Sequence, residues 1–217
     1  MDLSTIRGVL LDMDGTLVDS DAAVERAWRT WAGEHDVDPE AVLAIAHGSP
    51  AESTIRRLLP ELDDAAVATS AGRLLALEYD DLSDVGPTRG ADELLATLRR
   101  LELPWAVVTS ADPSLAKVRL AAAGIDPPVL LTLGDVSAGK PDPEGYRRGA
   151  ELLDVPVARC LVVEDTEIGL RAGRAAGAMT AALKGCDGDL RVDDLGQLAR
   201  LLAAAPGRSA PDGPPAR

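Results

Sequence analysis

Two spacings of apolar residues alternate along this chain. Short apolar runs bounded by Gly, Pro or acidic residues are typical of buried strands, whereas apolar residues three and four positions apart are typical of helices that lie on a core. Helical stretches separate five such runs, at 9–13, 105–109, 129–133, 160–164 and 179–183. The alternation predicts βα units, and therefore a doubly wound α/β fold with five parallel strands.

The stretch between the first and second runs contains helical patterns only. Residues 21–34 place their apolar positions on one side of a predicted helix. A second predicted helix begins at Pro39 and ends at His47-Gly48, and two more follow as far as about Leu82. Because no strand pattern interrupts these helices, we expect them to form an insert in the α/β fold.

These patterns divide the chain into a core and an insert. Residues 1–19 and 86–205 are predicted to form a Rossmann-like doubly wound parallel sheet with its helices, and residues 20–85 an inserted α-helical domain. The last segment, 206–217, is rich in Pro and Gly and is expected to be a disordered tail.

Composition and charge argue against several classes of protein. The chain has 217 residues, of which 46% are hydrophobic, enough for one core plus a small inserted domain. Its apolar runs fall short of the roughly 18 to 20 residues that span a membrane, and its N-terminus lacks a signal-peptide pattern. The formal net charge of -14 argues against nucleic-acid binding. We therefore expect a cytoplasmic protein, monomeric by default, without a membrane or nucleic-acid partner.

Two acids, Asp12 and Asp14, mark the end of the first predicted strand. Side chains two positions apart in an extended segment point the same way, so both carboxylates can face one site at the strand's carboxyl end. Adjacent carboxylates repel each other unless a cation or a shared proton intervenes, which favours a divalent metal such as Mg²⁺. The alternative is a solvated acidic turn, which the preceding strand and the following Gly15-Thr16 disfavour.

Polar residues also follow the second predicted strand and precede a later helix. Thr109-Ser110 offers hydroxyl groups and backbone N–H groups at a helix start, which suits a phosphate. Its alternative role is a helix N-cap, although Asp112 is also available for that role. Lys140 lies between two conformationally restrictive residues and could be a fixed positive charge for phosphate and carboxylate, or an ordinary solvated lysine.

A third pair of polar residues, Glu164-Asp165, follows the buried run 160–164. Consecutive acids after a buried strand are poorly explained by packing, although Asp165 could be an N-cap. A carboxylate here would complete a Mg²⁺ shell that begins with Asp12 and the backbone carbonyl of Asp14.

Four segments together resemble the four motifs of haloacid dehalogenase-type phosphatases: DMDGT at 12–16, VTS at 108–110, GKPDP at 139–143 and VVED at 162–165. The resemblance implies that Asp12 is the nucleophile that forms an aspartyl-phosphate. It implies that Asp14 protonates the leaving oxygen and then activates water. The phosphoryl oxygens would be bound by Thr109, Ser110 and Lys140. Mg²⁺ would be bound by Asp12, Asp14 and Asp165, with Glu164 either a further ligand or next to the ligands.

The insert resembles the small helical cap of this family's first subclass, and several segments are similar to bacterial sugar, hexitol and glycerol-3-phosphate phosphatases. The resemblance implies that the cap reads the substrate, with His47-Gly48 reaching the leaving group; the alternative for His47 is a simple helix C-cap. The function expected is Mg²⁺-dependent hydrolysis of small sugar or sugar-alcohol phosphates. The alternatives are a hexose-phosphate mutase of the same fold and a non-catalytic binding protein.

Overall fold

The computed structural model of the protein describes residues 2–46 and 50–206. Its strands are β1 (Gly8–Leu11), β2 (Val18–Asp19), β3 (Gly86–Pro87), β4 (Trp105–Val108), β5 (Leu130–Leu131), β6 (Cys160–Glu164), β7 (Met179–Ala182) and β8 (Leu190–Arg191). Its helices are α1 (Asp21–Glu34), α2 (Pro39–Ala46), α3 (Ala51–Leu58), α4 (Asp64–Asp80), α5 (Ala91–Arg100), α6 (Pro113–Ala122), α7 (Glu144–Leu152), α8 (Glu167–Ala176) and α9 (Leu195–Ala203). None of these helices combines the length and the apolar character that a membrane crossing requires.

The main sheet has six parallel strands in the order β5-β4-β1-β6-β7-β8. This order confirms the predicted doubly wound α/β fold. The sequence predicted five strands, and β8 adds a sixth. Strand β8 was missed because it lies outside any longer apolar run, and the same reason applies to the small antiparallel pair β2–β3. Strand β5 has only two residues as well, but it lies within the apolar run 129–133 and was predicted.

Helices cover both faces of the main sheet, and β1 lies at its centre. Val9 and Leu11 of β1 pack on one side with residues of α5, α6 and α9. Leu10 packs on the other side with residues of α7 and α8. Because both faces are covered, β1 is buried along its whole length, which explains why its sequence is a continuous apolar run.

The register of the central strands determines which residues meet at the carboxyl edge of the sheet. Leu11 at the end of β1 is paired with Val107 of β4 and with Val163 of β6. The backbone N–H of Asp12 continues the ladder by donating to the Val163 carbonyl at 3.0 Å. Asp12 therefore leaves the sheet beside Glu164.

Helices α1 to α4, here called the helical insert, enclose an apolar cluster of their own around Trp28 and Trp31. The first of them spans Asp21–Glu34, as the sequence predicted. The second is described as far as Ala46, so its predicted end at His47-Gly48 lies outside the described residues. Of the predicted tail 206–217, only Pro206 lies within the described ranges.

The chain enters and leaves the helical insert through β2 and β3. Val18 is paired with Pro87, and Asp19 with Gly86. The Thr88 hydroxyl donates to the backbone carbonyl of Thr16 at 2.6 Å. The two connections therefore lie side by side, close to the carboxyl end of β1. The division into two domains stays a prediction.

Candidate active site

A cavity of about 560 Å³ lies where the carboxyl edge of the sheet meets the helical insert. Most of the residues singled out in the sequence line it: Asp12, Asp14, Thr109, Ser110, Lys140 and Asp165. The insert contributes Trp28 of α1 and Glu78 of α4 among others. Glu164 is fully buried. His47 and Gly48 are outside the described part of the chain.

Lys140 joins two carboxylates at the cavity. Its Nζ atom lies 2.5 Å from Asp12 Oδ1 and 2.7 Å from Glu164 Oε1. The side chains of Lys140 and Asp12 are only 9% and 11% exposed. A buried ammonium group is favourable only when it is paired and hydrogen-bonded, so the two acids explain why this lysine can lie here. The interpretation of Lys140 as a solvated surface residue is therefore wrong.

Glu164 accepts hydrogen bonds at both of its carboxylate oxygens. Oε1 accepts from the Tyr146 hydroxyl at 2.7 Å as well as from Lys140. Oε2 accepts from the Thr166 hydroxyl at 3.0 Å and from the Thr166 backbone N–H at 3.3 Å. Space for this carboxylate exists because position 169 is glycine, where a Cβ atom would overlap it. These contacts fix Glu164 and, through it, the position of Lys140.

The pKa values of the clustered acids reflect burial and mutual repulsion. Burial, followed by the charge of Glu164, raises the pKa of Asp12 well above its usual range, although Lys140 opposes the shift. Burial and Glu164 also raise the pKa of Asp165. Burial alone would lower the pKa of Lys140, but Asp12 and Glu164 outweigh it and raise that pKa, so the lysine stays charged. A further cation at the site would therefore stabilise the charged forms of these carboxylates.

Three carboxylates are close enough to bind one metal ion. Oxygen atoms of Asp12, Glu164 and Asp165 lie within 4.8 Å of one another, and hard oxygen donors are the ligands that Mg²⁺ prefers. Asp165 Oδ1 accepts a hydrogen bond from the Thr16 hydroxyl at 3.2 Å, and Oδ2 lies 3.1 Å from Lys184 Nζ. The donor set therefore fits a hard divalent cation.

The carboxylate of Asp14 makes contacts of a different kind. Its Oδ1 atom accepts a hydrogen bond from the Ser20 hydroxyl at 2.7 Å and lies 3.0 Å from Nη1 of Arg119. Arg119 also reaches toward Glu78 of the insert, with Nη2 and Oε1 3.6 Å apart. A metal contact from Asp14, expected through its backbone carbonyl, stays a prediction.

Thr109 follows β4 and is 6% exposed. Its hydroxyl oxygen accepts from the backbone N–H of Ala111 at 3.1 Å. The N-cap of α6 is Asp112, which accepts from the N–H groups of Ser114 and Leu115. Thr109 and Ser110 thus line the cavity without capping the helix, and phosphate binding by them stays a prediction.

Several charged or polar residues of the site were not predicted from the sequence, among them Lys184, Arg119 and Tyr146. Lys184 lies two residues after the end of β7 and directly after the predicted apolar run 179–183, so it carries the same signal as the predicted acids, a polar residue after a buried run. Arg119 lies three and four positions from the buried Ala116 and Leu115, so a charged residue on the apolar face of α6 was the available signal. Tyr146 gave no signal, because a buried tyrosine on a helix is most often only a core residue.

Comparisons with known proteins show which family the chain is similar to. A family model described as haloacid dehalogenase-like hydrolase matches residues 6–177, a range that contains every site residue predicted from the sequence. Hexitol phosphatase A of Escherichia coli is 40% identical over 178 residues, 82% of each chain. The 2-deoxyglucose-6-phosphate phosphatase 1 of Saccharomyces cerevisiae is 38% identical over 80% of this chain and 78% of its own. Among solved structures, a hydrolase from Pseudomonas syringae superposes with a TM-score of 0.81 and 27% identity, covering 92% of this chain and 99% of that one.

Proposed function

The chain belongs to the haloacid dehalogenase-like hydrolase family, and we propose that it is a Mg²⁺-dependent phosphomonoesterase of small sugar or sugar-alcohol phosphates. It is a phosphoric monoester hydrolase, like the phosphatases it resembles. To this hydrolase activity the proposal adds a substrate class, the metal Mg²⁺ and a reaction route in which Asp12 forms a covalent intermediate. The single observation that carries it is the buried contact between Asp12 and Lys140, 2.5 Å apart, at the edge of the cavity.

Asp12 is the proposed nucleophile. One of its oxygens forms a bond to phosphorus while the bond from phosphorus to the leaving oxygen breaks, and water later hydrolyses the aspartyl-phosphate. A carboxylate and a phosphate dianion repel each other, so the charge of Lys140 lowers the barrier by stabilising the phosphoryl oxygens. Thr109 and Ser110, which line the same cavity, supply hydrogen-bond donors to those oxygens.

Asp14 is the proposed acid and base. It gives its proton to the leaving oxygen in the first step and takes a proton from the attacking water in the second. The two acids at 12 and 14 face one cavity, yet their partners differ: Lys140 for Asp12, and Ser20 with Arg119 for Asp14. This difference supports a division of roles between two otherwise similar carboxylates.

Asp12, Asp165 and the backbone carbonyl of Asp14 are the proposed metal ligands. Mg²⁺, when bound, supplies positive charge that offsets the repulsion between nucleophile and phosphate ester. Glu164 already accepts from Lys140, Tyr146 and Thr166. Its proposed role is therefore to place Lys140 and to add negative charge beside the metal.

The helical insert is proposed to act as a cap that excludes water and contacts the sugar part of the substrate. The cavity of about 560 Å³ is within the size range of small-molecule sites. The names of the relatives, a hexitol phosphatase and a 2-deoxyglucose-6-phosphate phosphatase, support a polyhydroxylated substrate. We expect several such phosphates to be hydrolysed, because a hydrophobic pocket discriminates weakly against one added hydroxyl.

The test is release of inorganic phosphate from a panel of hexitol, hexose and glycerol phosphates, with MgCl₂ and with EDTA. We expect release that requires the metal and falls by at least about 1,000-fold in Asp12→Asn. Asp126→Asn, at an exposed position, is the matched control and should behave like the parent. A folded protein that releases no phosphate would contradict the proposal, and conversion of one sugar phosphate into an isomer would identify a mutase instead.

A further inference from the structure

An arginine on α6, Arg119, lies where packing alone does not explain it. Its side chain is 3% exposed, and its neighbours on the same helix face, Leu115, Ala116 and Leu120, belong to the core. Transfer of a guanidinium group out of water is strongly unfavourable unless the charge is paired. The reason for an arginine here is therefore found in its partners.

Those partners come from two separate parts of the chain. Nη1 lies 3.0 Å from Oδ1 of Asp14, which follows β1. Nη2 lies 3.6 Å from Oε1 of Glu78, near the end of α4 in the helical insert. Burial raises the pKa of Glu78, while the neighbouring Arg119 lowers it. One guanidinium thus connects an acid of the sheet edge to an acid of the insert.

Arg119 and Ser20 act on the same oxygen of Asp14. The Ser20 hydroxyl donates to Oδ1 at 2.7 Å, and Nη1 of Arg119 reaches Oδ1 at 3.0 Å. A hydrogen bond and an ion pair on the same oxygen fix the rotation of the carboxylate about its bond to Cβ. The second oxygen is then the one that can exchange a proton with a ligand in the cavity.

The remaining donors of Arg119 are incompletely satisfied. Nε and Nη2 are buried and have no hydrogen-bond partner among the described residues; the 3.6 Å contact of Nη2 with Glu78 is an ion pair that is too long for a hydrogen bond. Buried donors without partners are destabilising and rare in native proteins. An arginine that served stability alone would satisfy more of its donors.

We propose that Arg119 is a positioning residue that orients the proton-transferring carboxylate of Asp14, and that Glu78 links the contact between Arg119 and Asp14 to the helical insert. The inference rests on the proposed function, in which Asp14 protonates the leaving oxygen. Because Glu78 belongs to α4, its ion pair with Arg119 exists only while this end of α4 lies near α6. The carboxylate of Asp14 is therefore fully oriented when the insert covers the cavity.

This positioning role can be distinguished from a general structural role with two substrates. The leaving group of one needs a proton, and the leaving group of the other does not. When a hexitol phosphate is cleaved, the bond from phosphorus to an alkyl oxygen breaks and the proton of Asp14 goes to that oxygen. When p-nitrophenyl phosphate is cleaved, the leaving nitrophenolate is stable without that proton. The kcat/KM value covers the steps up to bond cleavage. For Arg119→Met we expect kcat/KM to fall about 100-fold with hexitol phosphate and by less than about threefold with p-nitrophenyl phosphate.

Three further variants complete the experiment. Arg119→Lys keeps a positive charge and should recover part of the activity toward hexitol phosphate. Arg73→Met removes an exposed arginine of α4 that pairs with Glu34, and should leave both substrates unaffected. If Arg119→Met does not fold because Glu78 is left buried without its partner, the double variant Arg119→Met/Glu78→Gln carries the same expectation.

Equal losses with both substrates, or no loss with either, would overturn the role of Arg119. Such results are distinguishable from a failure of the proposed function, because in that case the parent protein would release phosphate from neither substrate.

Discussion

Position 169 is a glycine, and the carboxylate of Glu164 occupies the space that a Cβ atom would fill there. Gly169→Ala should displace Glu164 from Tyr146 and Thr166, and thereby move Lys140. We expect a loss of phosphatase activity of at least about tenfold and a lower melting temperature, since a buried hydrogen-bonded group costs about 1–3 kcal/mol when its partners are lost. Activity assays and thermal denaturation followed by circular dichroism measure both effects.

Gly33→Ala is the matched control for this substitution. Gly33 is an exposed residue of α1, and no atom lies within 4 Å of a Cβ atom built there. Alanine is favoured over glycine in a helix by about 1 kcal/mol, so this variant should melt slightly higher and keep its activity. If Gly169→Ala behaves like Gly33→Ala, the close fit around Glu164 is unimportant.

Residues at strand ends could be predicted from the sequence, whereas their partners within helices could not. Asp12, Thr109 and Glu164 each follow an apolar run, and parallel strands bring such positions to one edge of a sheet. Arg119 and Tyr146 lie within helices, where the local pattern does not reveal which group faces them. Their contacts depend on how α6 and α7 pack against the sheet, which a single sequence does not specify.

At the scale of elements, the helical insert contains a buried polar network within its apolar cluster. The indole N–H of Trp31 donates to the Ser70 hydroxyl at 2.8 Å, and that hydroxyl lies 3.1 Å from Nε2 of His35. The His35 ring stacks on Trp31 with its ring centroid 4.2 Å away, and its Nδ1 lies 2.9 Å from the Trp31 carbonyl oxygen. The network ties α1 and α4 together.

Ser70→Ala should weaken the insert, because the buried indole N–H of Trp31 loses its acceptor. The expected decrease in the free energy of unfolding is about 1–3 kcal/mol. Urea denaturation measures it, and amide hydrogen exchange should show faster exchange in α1 and α4 than in the sheet. Thr69→Ala, at the neighbouring exposed position, should change stability by less than about 0.5 kcal/mol. Equal effects of the two variants would show that the hydrogen bond between Trp31 and Ser70 adds nothing to the free energy of unfolding.

Whether an element could be predicted depended on its length and on its capping residues. The helix Asp21–Glu34 has the predicted bounds, because a polar start and fourteen residues of regular spacing define it. Strand β6, Cys160–Glu164, was also predicted at its observed bounds. The strands β2, β3 and β8 have two residues each, as β5 has, but unlike β5 they lie outside the longer apolar runs. They exist because neighbouring backbone is available, which is a property of the fold and not of the local sequence.

At the scale of the whole molecule, the acids fall into two groups with opposite effects on stability. The pKa values of buried Asp12 and Asp165 are raised by burial and then by Glu164. The pKa values of the exposed Asp84 and the half-buried Glu144 are lowered, because Arg26 and Ser137 respectively donate hydrogen bonds to them. A raised pKa means that the folded state binds protons more readily than the unfolded state, and a lowered pKa means the opposite.

The metal-free protein should therefore become more stable as the pH falls through the raised pKa values of Asp12 and Asp165 toward the unfolded pKa of aspartate, about 4. Below that range the exposed acids lose their stabilising contacts and stability should decrease again. With saturating MgCl₂ the buried carboxylates are paired, so the gain on acidification should disappear. Urea denaturation at several pH values, with EDTA and with MgCl₂, measures this. If the stability of metal-free Asp12→Asn changes with pH as steeply as that of the parent, the raised pKa of Asp12 is not the cause of the pH dependence.

The three tryptophans of the chain are unevenly placed. Trp28 and Trp31 lie in α1, with their ring centroids 5.3 Å apart, and Trp28 also borders the cavity, while Trp105 belongs to β4 of the sheet. Two of the three fluorescent indoles thus lie in one helix beside the site. An occupant of the cavity meets one of these indoles directly, so the molecule carries its own optical reporter of ligand entry, without an added dye.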